Sequence, residues 1–247
     1  MLYTVAMKRK LPTVTLLGID CVNIERLVLA SEICQKDFEF AEVKLLTSLP
    51  APLGVDVVKI DPLTSTEEYS EFVITHLHEY VDTPHVLVIQ YDGFILNPDA
   101  WNDAFLEYDY IGAPWWVQGP AVKNDGFPVE ALHTWLVGNG GFSLRSKKLL
   151  ELCADLAKSN AFTAYHPEDV VLSVHNRDVL EDRGVQFAPV ALAKEFSYEA
   201  VDEKTDYEWN GQFGFHGIRW TDISAWTKQY PEYVVDMKGN TITRRSE

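Results

Sequence analysis

The spacing of apolar residues along the first half of the chain changes repeatedly between a period typical of strands and one typical of helices. Mostly apolar runs of strand length occupy Val14–Ile19, Glu42–Leu46, Val55–Ile60 and His85–Gln90. Between the last two runs, Tyr69–Tyr80 carries apolar residues every three or four positions. Strands that alternate with helices predict an α/β fold with a mostly parallel central sheet and helices on both faces.

Several residues have the chemistry and position of helix caps. Asn23 follows the first predicted strand and is placed to cap a helix. Ser65 and Glu68 have the spacing of a capping box, and Ser146 precedes another apolar stripe at helical spacing. Pro167 favours a helix that begins directly after it.

The second half of the chain is less regular. Residues 112–131 are rich in glycine and proline and predict a long loop. Trp135–Leu144 is strand-like around a glycine cluster, Val185–Val190 predicts a further strand, and a short helix is expected near Trp226. The sequence contains neither an internal repeat nor a Pro/Ser-rich linker, so we expect a single compact domain over residues 1–247.

Composition and charge narrow the classes of function. Hydrophobic residues make up 47% and charged residues 23% of the sequence, as in ordinary globular domains. The net charge of −16 disfavours binding to nucleic acid or to an anionic membrane, because phosphate groups attract basic surfaces. An acidic protein that handles phosphate typically brings a divalent cation.

Cysteine usage and hydropathy indicate the compartment. The three cysteines form no CxxC pair, which disfavours a thiolate zinc site or a disulfide framework. The basic start of the chain lacks a clear cleavage site, and no apolar stretch reaches the ~18 residues of a membrane span. We therefore expect a soluble, cytoplasmic domain without a transmembrane segment.

Asp92 and Gly93 follow the apolar strand His85–Gln90 directly. Ligands of open parallel sheets lie beyond the carboxyl ends of the strands. A carboxylate there suits Mg²⁺ or Mn²⁺ together with substrate phosphates. Asp-Gly is also a common turn pair, so a purely structural role for Asp92 remains open.

Val137–Ser143 is the second candidate. Its three glycines bracket Asn139 and indicate a bulge or a close backbone approach, where a sugar could pack and bond to Asn139 and backbone amides. The segment matches neither a dinucleotide fingerprint nor a P-loop. Taken alone, Asn-Gly is better explained as a hairpin turn.

The third and fourth candidates are an acidic pair and a late histidine. Glu168 and Asp169 lie at a predicted helix start, where a carboxylate is stabilised as the anion and can act as a general base if it faces a substrate. Acidic pairs often only complement the helix dipole. His216, within Phe213–Gly217, can ligate Mn²⁺ as a neutral imidazole, although a histidine among aromatics is more often a core residue.

The order of these features resembles that of the GT-A glycosyltransferases. More closely, it resembles the bacterial domain family DUF5672, which is associated with polysaccharide synthesis. The matching segments are VTLLGIDC (14–21), HVLVIQYDGFILNPDAW (85–101), YDYIGAPW (108–115), VGNGGFSLRS (137–146), HPEDV (166–170) and FGFHG (213–217).

The resemblance implies roles for the candidate residues. Asp92 would be the metal-binding aspartate of the DxD motif and His216 a late metal ligand, with Mn²⁺ or Mg²⁺ as the cofactor. Gln90 stands where that motif has its first aspartate. Asp169 matches the aspartate of the xED motif, which acts as the base in inverting members, and Glu168 would bind the acceptor or support the loop.

The resemblance also implies a donor site and an activity. Residues 1–110 would form the nucleotide-sugar-binding half and 111–247 the acceptor-binding half, closed over the site by a loop such as 116–130. The chain would be a metal-dependent, inverting hexosyltransferase that moves sugar from a UDP-sugar to a glycan acceptor in bacterial polysaccharide biosynthesis. Candidate donor-binding residues are Asp20, Tyr69, Gln90, Tyr91, Asp92, Asn139, Gly140 and Gly141.

Two other classes of function remain alternatives. A nucleotidyltransferase that makes a nucleotide-sugar shares an α/β nucleotide domain. Its glycine- and lysine/arginine-rich loop after the first strand is not matched by GIDCVNIERL (18–27). A non-catalytic carbohydrate-binding protein would use the tryptophans as stacking platforms. Such modules are typically β-sandwiches, which the alternation of strands and helices disfavours.

Overall fold

The computed structural model describes residues 7–117, 134–199 and 209–245 of the 247-residue chain. Its strands, in chain order, are β1 (Arg9–Ile19), β2 (Phe38–Thr47), β3 (Val58–Lys59), β4 (His85–Ile89), β5 (Tyr110–Gly112), β6 (Pro114–Val117), β7 (Thr134–Val137), β8 (Ser143–Ser146), β9 (Ser197–Tyr198), β10 (Gly214–Phe215), β11 (Tyr233–Asp236) and β12 (Thr241–Arg244).

Short and medium helices connect these strands. The α-helices are α1 (Ile24–Cys34), α2 (Thr66–Thr75), α3 (Lys147–Lys158), α4 (Glu168–Val170), α5 (Arg177–Asp182), α6 (Val190–Phe196) and α7 (Ser224–Gln229). A π-helical segment at Val171–His175 follows α4, and 3₁₀ turns occupy Leu77–Tyr80, Pro98–Ala100 and Asp103–Glu107.

The central sheet has six strands in the order β3-β2-β1-β4-β8-β5. β1 pairs in parallel with β2 and β4, and β2 pairs in parallel with β3. β8 runs antiparallel to both of its neighbours, β4 and β5. The carboxyl ends of β1 and β4 therefore lie side by side, at the edge where ligands of open α/β sheets bind.

Both faces of the sheet are covered, which explains why β1 is apolar at consecutive positions. Leu16 packs into the larger hydrophobic cluster together with Leu27 of α1. Leu17 and Ile19 point to the other face and pack with Val73 of α2. Since neighbouring side chains of a strand point to opposite faces, a run without alternation is the expected pattern for a strand buried on both sides.

The structure confirms the predicted mostly parallel α/β sheet and the predicted helix starts. The side chains of Asn23, Ser65 and Ser146 each accept a hydrogen bond from a backbone N–H in the first turn of α1, α2 and α3, respectively. α4 begins at Glu168, directly after Pro167. These caps satisfy N–H groups that the first helical turn leaves without partners.

The predicted strand at Val185–Val190 is wrong, because α6 begins at Val190 and the preceding residues make only scattered contacts with β5. The backbone carbonyl of Gln186 accepts from Asp109 N, and Ala188 N donates to the carbonyl of Tyr110. Pro189 has no N–H to continue such a ladder and instead precedes α6.

The strand-like segment Trp135–Leu144 is divided by its glycines into β7 and β8. β7 pairs antiparallel with β6, outside the central sheet, whereas β8 lies within it. The predicted loop 112–131 begins in β5 and β6, and its remainder lies outside the described residues, as does most of the expected closing loop 116–130. Within the described ranges, no helix combines the length and apolar character needed to cross a bilayer.

The sheet predicts the effect of a substitution in β8. Leu144 is fully buried and pairs with Leu87 on one side and Ile111 on the other. We expect Leu144→Ala to lower the free energy of unfolding by about 2–5 kcal/mol, since it leaves a cavity in the core. Leu53→Ala is the control, because Leu53 is fully exposed. Equal midpoints for the two variants in urea unfolding would contradict this packing.

Candidate active site

The carboxyl end of β4 turns sharply and presents Asp92. After Ile89, the backbones of Gln90 and Gly93 bond to each other in both directions. Asp92 lies inside this turn and is only 7% exposed. A Cβ at Gly93 would come within 3.0 Å of the carbonyl oxygen of Gly141, so the close approach of the two segments favours glycine here.

Aromatic packing fixes the segment that carries His216. Phe215 packs edge-on against Phe94, with ring centroids 4.8 Å apart, and holds β10 beside the chain that follows β4. The ring of Phe213 lies at the centre of a buried aromatic cluster. Its centroid is 5.2–6.1 Å from those of Phe38, Trp101, Phe105, Phe142 and Phe196. His216 therefore projects from a rigid anchor.

His216 brings together the residues that the sequence singled out. Its Nε2 lies 3.8 Å from Asp92 Oδ1 and 3.1 Å from Gln90 Oε1. Its ring lies so close to Gly141 that a Cβ there would overlap the imidazole. Asp92 Oδ1 is buried and has no hydrogen-bond partner. An orphaned carboxylate oxygen at such a site is an open ligand position.

Glu199, which belongs to none of the sequence motifs, contacts the other side of His216. Its Oε1 lies 2.9 Å from His216 Nδ1, and its Oε2 accepts from Asn139 Nδ2 at 2.7 Å. Burial disfavours the charged imidazolium. The hydrogen bond to Glu199 and the charges of Glu199 and Asp92 outweigh it and raise the pKa of His216 to about 9. Glu199 Oε1 accepts the Nδ1 proton, and the Nε2 proton of the imidazolium faces Gln90 Oε1 and Asp92 Oδ1, where a bound cation would displace it.

The side chains around Nε2 fit a divalent cation. Asp92 Oδ1, His216 Nε2 and Gln90 Oε1 supply a carboxylate, an imidazole and an amide oxygen, a donor set that suits Mn²⁺ or Mg²⁺. Among the described residues, no three His, Cys, Asp or Glu side chains form a closed metal cluster. Two such ligands and one amide leave positions for water and phosphate oxygens, as expected for a cation shared with a substrate.

The Asn139–Gly141 turn approaches the acidic pair. Gly140 N donates to Asp169 Oδ2 at 2.9 Å, and a Cβ at Gly140 would overlap the Glu168 carboxylate. The amide of Asn139 donates to Glu199 rather than pointing into open space. The glycines thus permit the predicted close backbone approach, here to protein carboxylates.

Asp169 is held by backbone donors in the first turn of α4. Its Oδ1 accepts from Val170 N at 2.8 Å, and its Oδ2 accepts from Gly140 N. Burial, followed by the charge of neighbouring Glu168, raises the pKa of Asp169 to about 7. A carboxylate with a pKa near neutrality has the proton affinity that a general base needs.

Glu168 forms a buried ion pair with Arg145, a second residue whose role the sequence pattern does not indicate. Arg145 Nη2 donates to Glu168 Oε1 at 2.9 Å, and both side chains are almost completely buried. The same guanidinium donates to Ser143 Oγ and to the carbonyl of Gly140. Glu168 thus ties α4 to β8 and to the glycine turn.

A cavity of about 310 Å³ reaches Gln90 and Tyr91, the two residues that precede Asp92. Four predicted donor-binding residues, Asp20, Tyr69, Gln90 and Tyr91, line this cavity. Gln90 belongs to both places, because its Nε2 donates to the Tyr69 hydroxyl at 3.1 Å while its Oε1 faces His216.

Asp20 is already engaged within the cavity wall. Its Oδ1 accepts from the backbone N–H groups of Val22 and Asn23, and its Oδ2 binds Arg26 Nε at 2.6 Å. The Arg26 guanidinium lies 3.5 Å from the centroid of the Tyr91 ring. Asp20 therefore organises the wall and orients Arg26.

The buried ion pair predicts a strong coupling between two residues. We expect Arg145→Met to lower the free energy of unfolding by about 3–5 kcal/mol, because it leaves Glu168 buried without its partner. The double variant Arg145→Met/Glu168→Gln is expected to recover part of this loss, as measured by guanidinium unfolding. If the double variant loses as much free energy of unfolding as Arg145→Met and Glu168→Gln lose separately when added together, the pair has no coupling energy.

Solved structures similar to this chain include glycosyltransferases. An active-site mutant of LgtC superimposes with a TM-score of 0.50 at 15% identity, covering 94% of this chain and 98% of that chain. The galactosyltransferase LgtC in complex with donor and acceptor sugar analogs gives 0.51 at 14% identity, with the same coverage. The apo-form glycosyltransferase GlyE of Streptococcus pneumoniae TIGR4 gives 0.42 at 11% identity, covering 94% of this chain and 62% of that chain.

Comparison with curated proteins finds no match. A family model described as a protein of unknown function, DUF5672, matches residues 53–216, well over half of the chain. The match includes the turn after β4, the glycine turn, the acidic pair and His216. The chain therefore belongs to the DUF5672 family and has the GT-A glycosyltransferase fold.

Proposed function

We propose that this protein is a metal-dependent, inverting glycosyltransferase that moves a hexosyl group from a UDP-sugar to a saccharide acceptor. One observation carries the proposal: Gln90 joins the cavity to the Asp92–His216 pair through hydrogen bonds at both ends of its amide. A nucleotide bound in the cavity would have its diphosphate beside the two metal-ligand candidates. The GT-A fold supports this arrangement.

The charges around the site favour a cation. Asp92 directly follows Tyr91 of the cavity wall, whereas Arg145 and Arg26 are already paired with Glu168 and Asp20. A bound diphosphate adds further negative charge to a chain with a net charge of −16. Asp92, His216 and the Gln90 amide would hold Mn²⁺ or Mg²⁺. Such an ion neutralises the leaving diphosphate when it is bound.

Asp169 is the residue we assign as the base. Two backbone N–H groups orient its carboxylate, and Gly140, which supplies one of them, is next to the glycine beneath His216. The carboxylate takes the proton of the acceptor hydroxyl while that oxygen bonds to the anomeric carbon and the bond to the diphosphate breaks. A single displacement of this kind inverts the anomeric configuration. The Glu168–Arg145 ion pair anchors the first turn of α4, which also carries Asp169.

Thermal stabilisation by nucleotide-sugars tests the proposed function. The panel is UDP-, GDP-, CMP- and dTDP-sugars, each with and without Mn²⁺. A ligand at ~100 times its Kd adds about 2.7 kcal/mol to the free energy of unfolding. We expect UDP-sugars with Mn²⁺ to raise the Tm most. If free saccharides stabilise the protein and no nucleotide-sugar does, it is a carbohydrate-binding protein instead.

Asp92→Asn tests the metal site. We expect the variant to fold normally, to bind UDP weakly in the presence of Mn²⁺, and to lose most transfer activity, because an amide is a poorer cation ligand than a carboxylate. His216→Ala should show a milder defect that excess Mn²⁺ corrects. Asp155→Asn is the matched control, since Asp155 is exposed on α3. Wild-type turnover of Asp92→Asn at low Mn²⁺ would reduce Asp92 to a turn residue.

Asp169→Asn tests the base. We expect transfer to fall by ~10²–10⁴-fold, with UDP-sugar affinity unchanged, because the base acts on the acceptor. The Asn amide also places an NH₂ against the N–H of Gly140 or Val170, so the variant should lose about 1–3 kcal/mol of stability. Transfer assays below the Tm of the variant separate the two effects. A variant that transfers sugar at the wild-type rate would exclude Asp169 as the base.

The pH dependence of the wild type provides a second measurement of the same role. The base must be deprotonated, so in saturating Mn²⁺, which keeps Nε2 of His216 deprotonated, kcat/KM should rise about tenfold per pH unit below ~7 and level off above it. Asp169→Asn should lose this limb. Charged or titratable groups close to Asp169 include Glu168, Glu199, His216, Tyr69, Tyr110 and Arg145.

NMR of the first product should show the inverted anomer, and a retained anomer would exclude a single displacement.

A further inference from the structure

The C-terminal hairpin formed by β11 and β12 reaches the carboxyl end of β4 through one side chain, Asn240. Its Nδ2 donates to the Tyr91 hydroxyl at 2.7 Å and to Asp92 Oδ2 at 3.0 Å. Its Oδ1 accepts from Arg219 N at 2.9 Å, three residues after His216. The amide thus connects the hairpin with both segments that carry the metal-ligand candidates.

The hydrogen bonds define the orientation of this amide. Its two N–H groups face a carboxylate and a hydroxyl oxygen, and its oxygen faces a backbone N–H. The flipped amide would set its oxygen against Asp92 Oδ2 and its NH₂ against Arg219 N, with donors and acceptors mismatched on both sides. Asn240 therefore acts as a donor toward Asp92.

This hydrogen bond gives the two oxygens of the Asp92 carboxylate different environments. Asn240 occupies Oδ2, while Oδ1 is buried, without a partner, and faces His216 Nε2. This hydrogen bond and the burial of Asp92 together restrict the rotation of the carboxylate and favour one direction for Oδ1. Groups that orient a metal ligand in this way strengthen the site although they do not touch the ion.

We propose that Asn240 is a positioning residue that turns Asp92 Oδ1 toward the divalent cation and joins the C-terminal hairpin to the metal site. This inference rests on the proposed function. Asn240 lies beyond the family match, which ends at residue 216, so the hairpin adds to the part of the site that the family model covers.

The backbone at Asn240 makes a clean substitution possible. Its φ of 49° lies in the left-handed region, which Asn and Gly tolerate better than other residues. Asn240→Gly therefore removes the amide and keeps the turn. In the described ranges, the other non-glycine residue with positive φ is Asn160, at 55°, beyond the end of α3. Asn160→Gly is thus a control for the backbone change.

A second control separates positioning from the stability of the hairpin. Ile242 on β12 is buried and pairs with Val235 of β11. Ile242→Ala weakens the packing of the hairpin but leaves the Asn240 amide intact. The readout is Mn²⁺ affinity, measured from the loss of the free-ion EPR signal with and without UDP, together with the Tm of each variant.

We expect Asn240→Gly to weaken Mn²⁺ binding by ~10–100-fold, with a Tm change no larger than that of Asn160→Gly. Excess Mn²⁺ should restore kcat, so the defect appears in the KM for the metal. Ile242→Ala should lower the Tm more and the Mn²⁺ affinity less.

Two results would overturn the inference alone, in a wild-type protein that binds Mn²⁺. One is an unchanged Mn²⁺ affinity in Asn240→Gly. The other is an affinity that follows the Tm across Asn240→Gly and Ile242→Ala, which would show a structural role only. If the wild-type protein binds no Mn²⁺, with or without UDP, both the inference and the metal dependence of the proposed function are overturned.

Discussion

The site depends on the contact between the His216 ring and Gly141. A side chain at position 141 would occupy the space of the imidazole, so the ring lies directly against the backbone of the glycine turn. Aromatic packing of Phe213 and Phe215 fixes the ring from the β10 side, and Glu199 fixes Nδ1. Because β4 and β8 are neighbours in the sheet, this contact brings three distant segments to one point.

The charges around the His216–Gly141 contact determine which ligands the site favours. Acidic side chains surround it, and the nearby guanidinium groups of Arg145 and Arg26 are paired with Glu168 and Asp20. Backbone N–H groups support Asp169 without adding net charge. Burial and the negative charge of Glu168 both disfavour the ionised form of Asp169, and its pKa is therefore raised. A cation with a diphosphate suits these charges better than a free anion does.

The fold was largely predictable from local patterns. Consecutive apolar residues predicted strands buried on both faces, and polar caps predicted helix starts, because both signals depend on neighbouring residues in the sequence. The strand predicted at Val185–Val190 failed because β propensity does not reveal whether a ladder partner exists, and Pro189 lacks the required N–H. The division of Trp135–Leu144 into two strands followed from its glycines, but the separate pairing of β7 with β6 depends on the tertiary structure.

The site was predictable only in part, because its contacts also depend on the tertiary structure. The structure places Asp92 and His216 together, although their roles stay predictions. Glu199, Arg145 and Asn240 belong to no short motif, since each acts through a partner that is distant in the chain. Arg145 lies within a matching segment of the sequence, but its ion pair with a glutamate 23 positions away becomes visible only in three dimensions.

Gln90 shows how a departure from a motif can keep a function possible. A carboxylate at this position would add a negative charge beside Asp92 and Glu199 and could not donate to the Tyr69 hydroxyl. The neutral amide donates to Tyr69 and offers its oxygen toward His216 at the same time. An amide oxygen is a weaker cation ligand than a carboxylate, so Asp92 would contribute more of the cation affinity than Gln90. The orientation of that one carboxylate therefore matters more here than in a site with two, and a second residue that fixes it is physically reasonable.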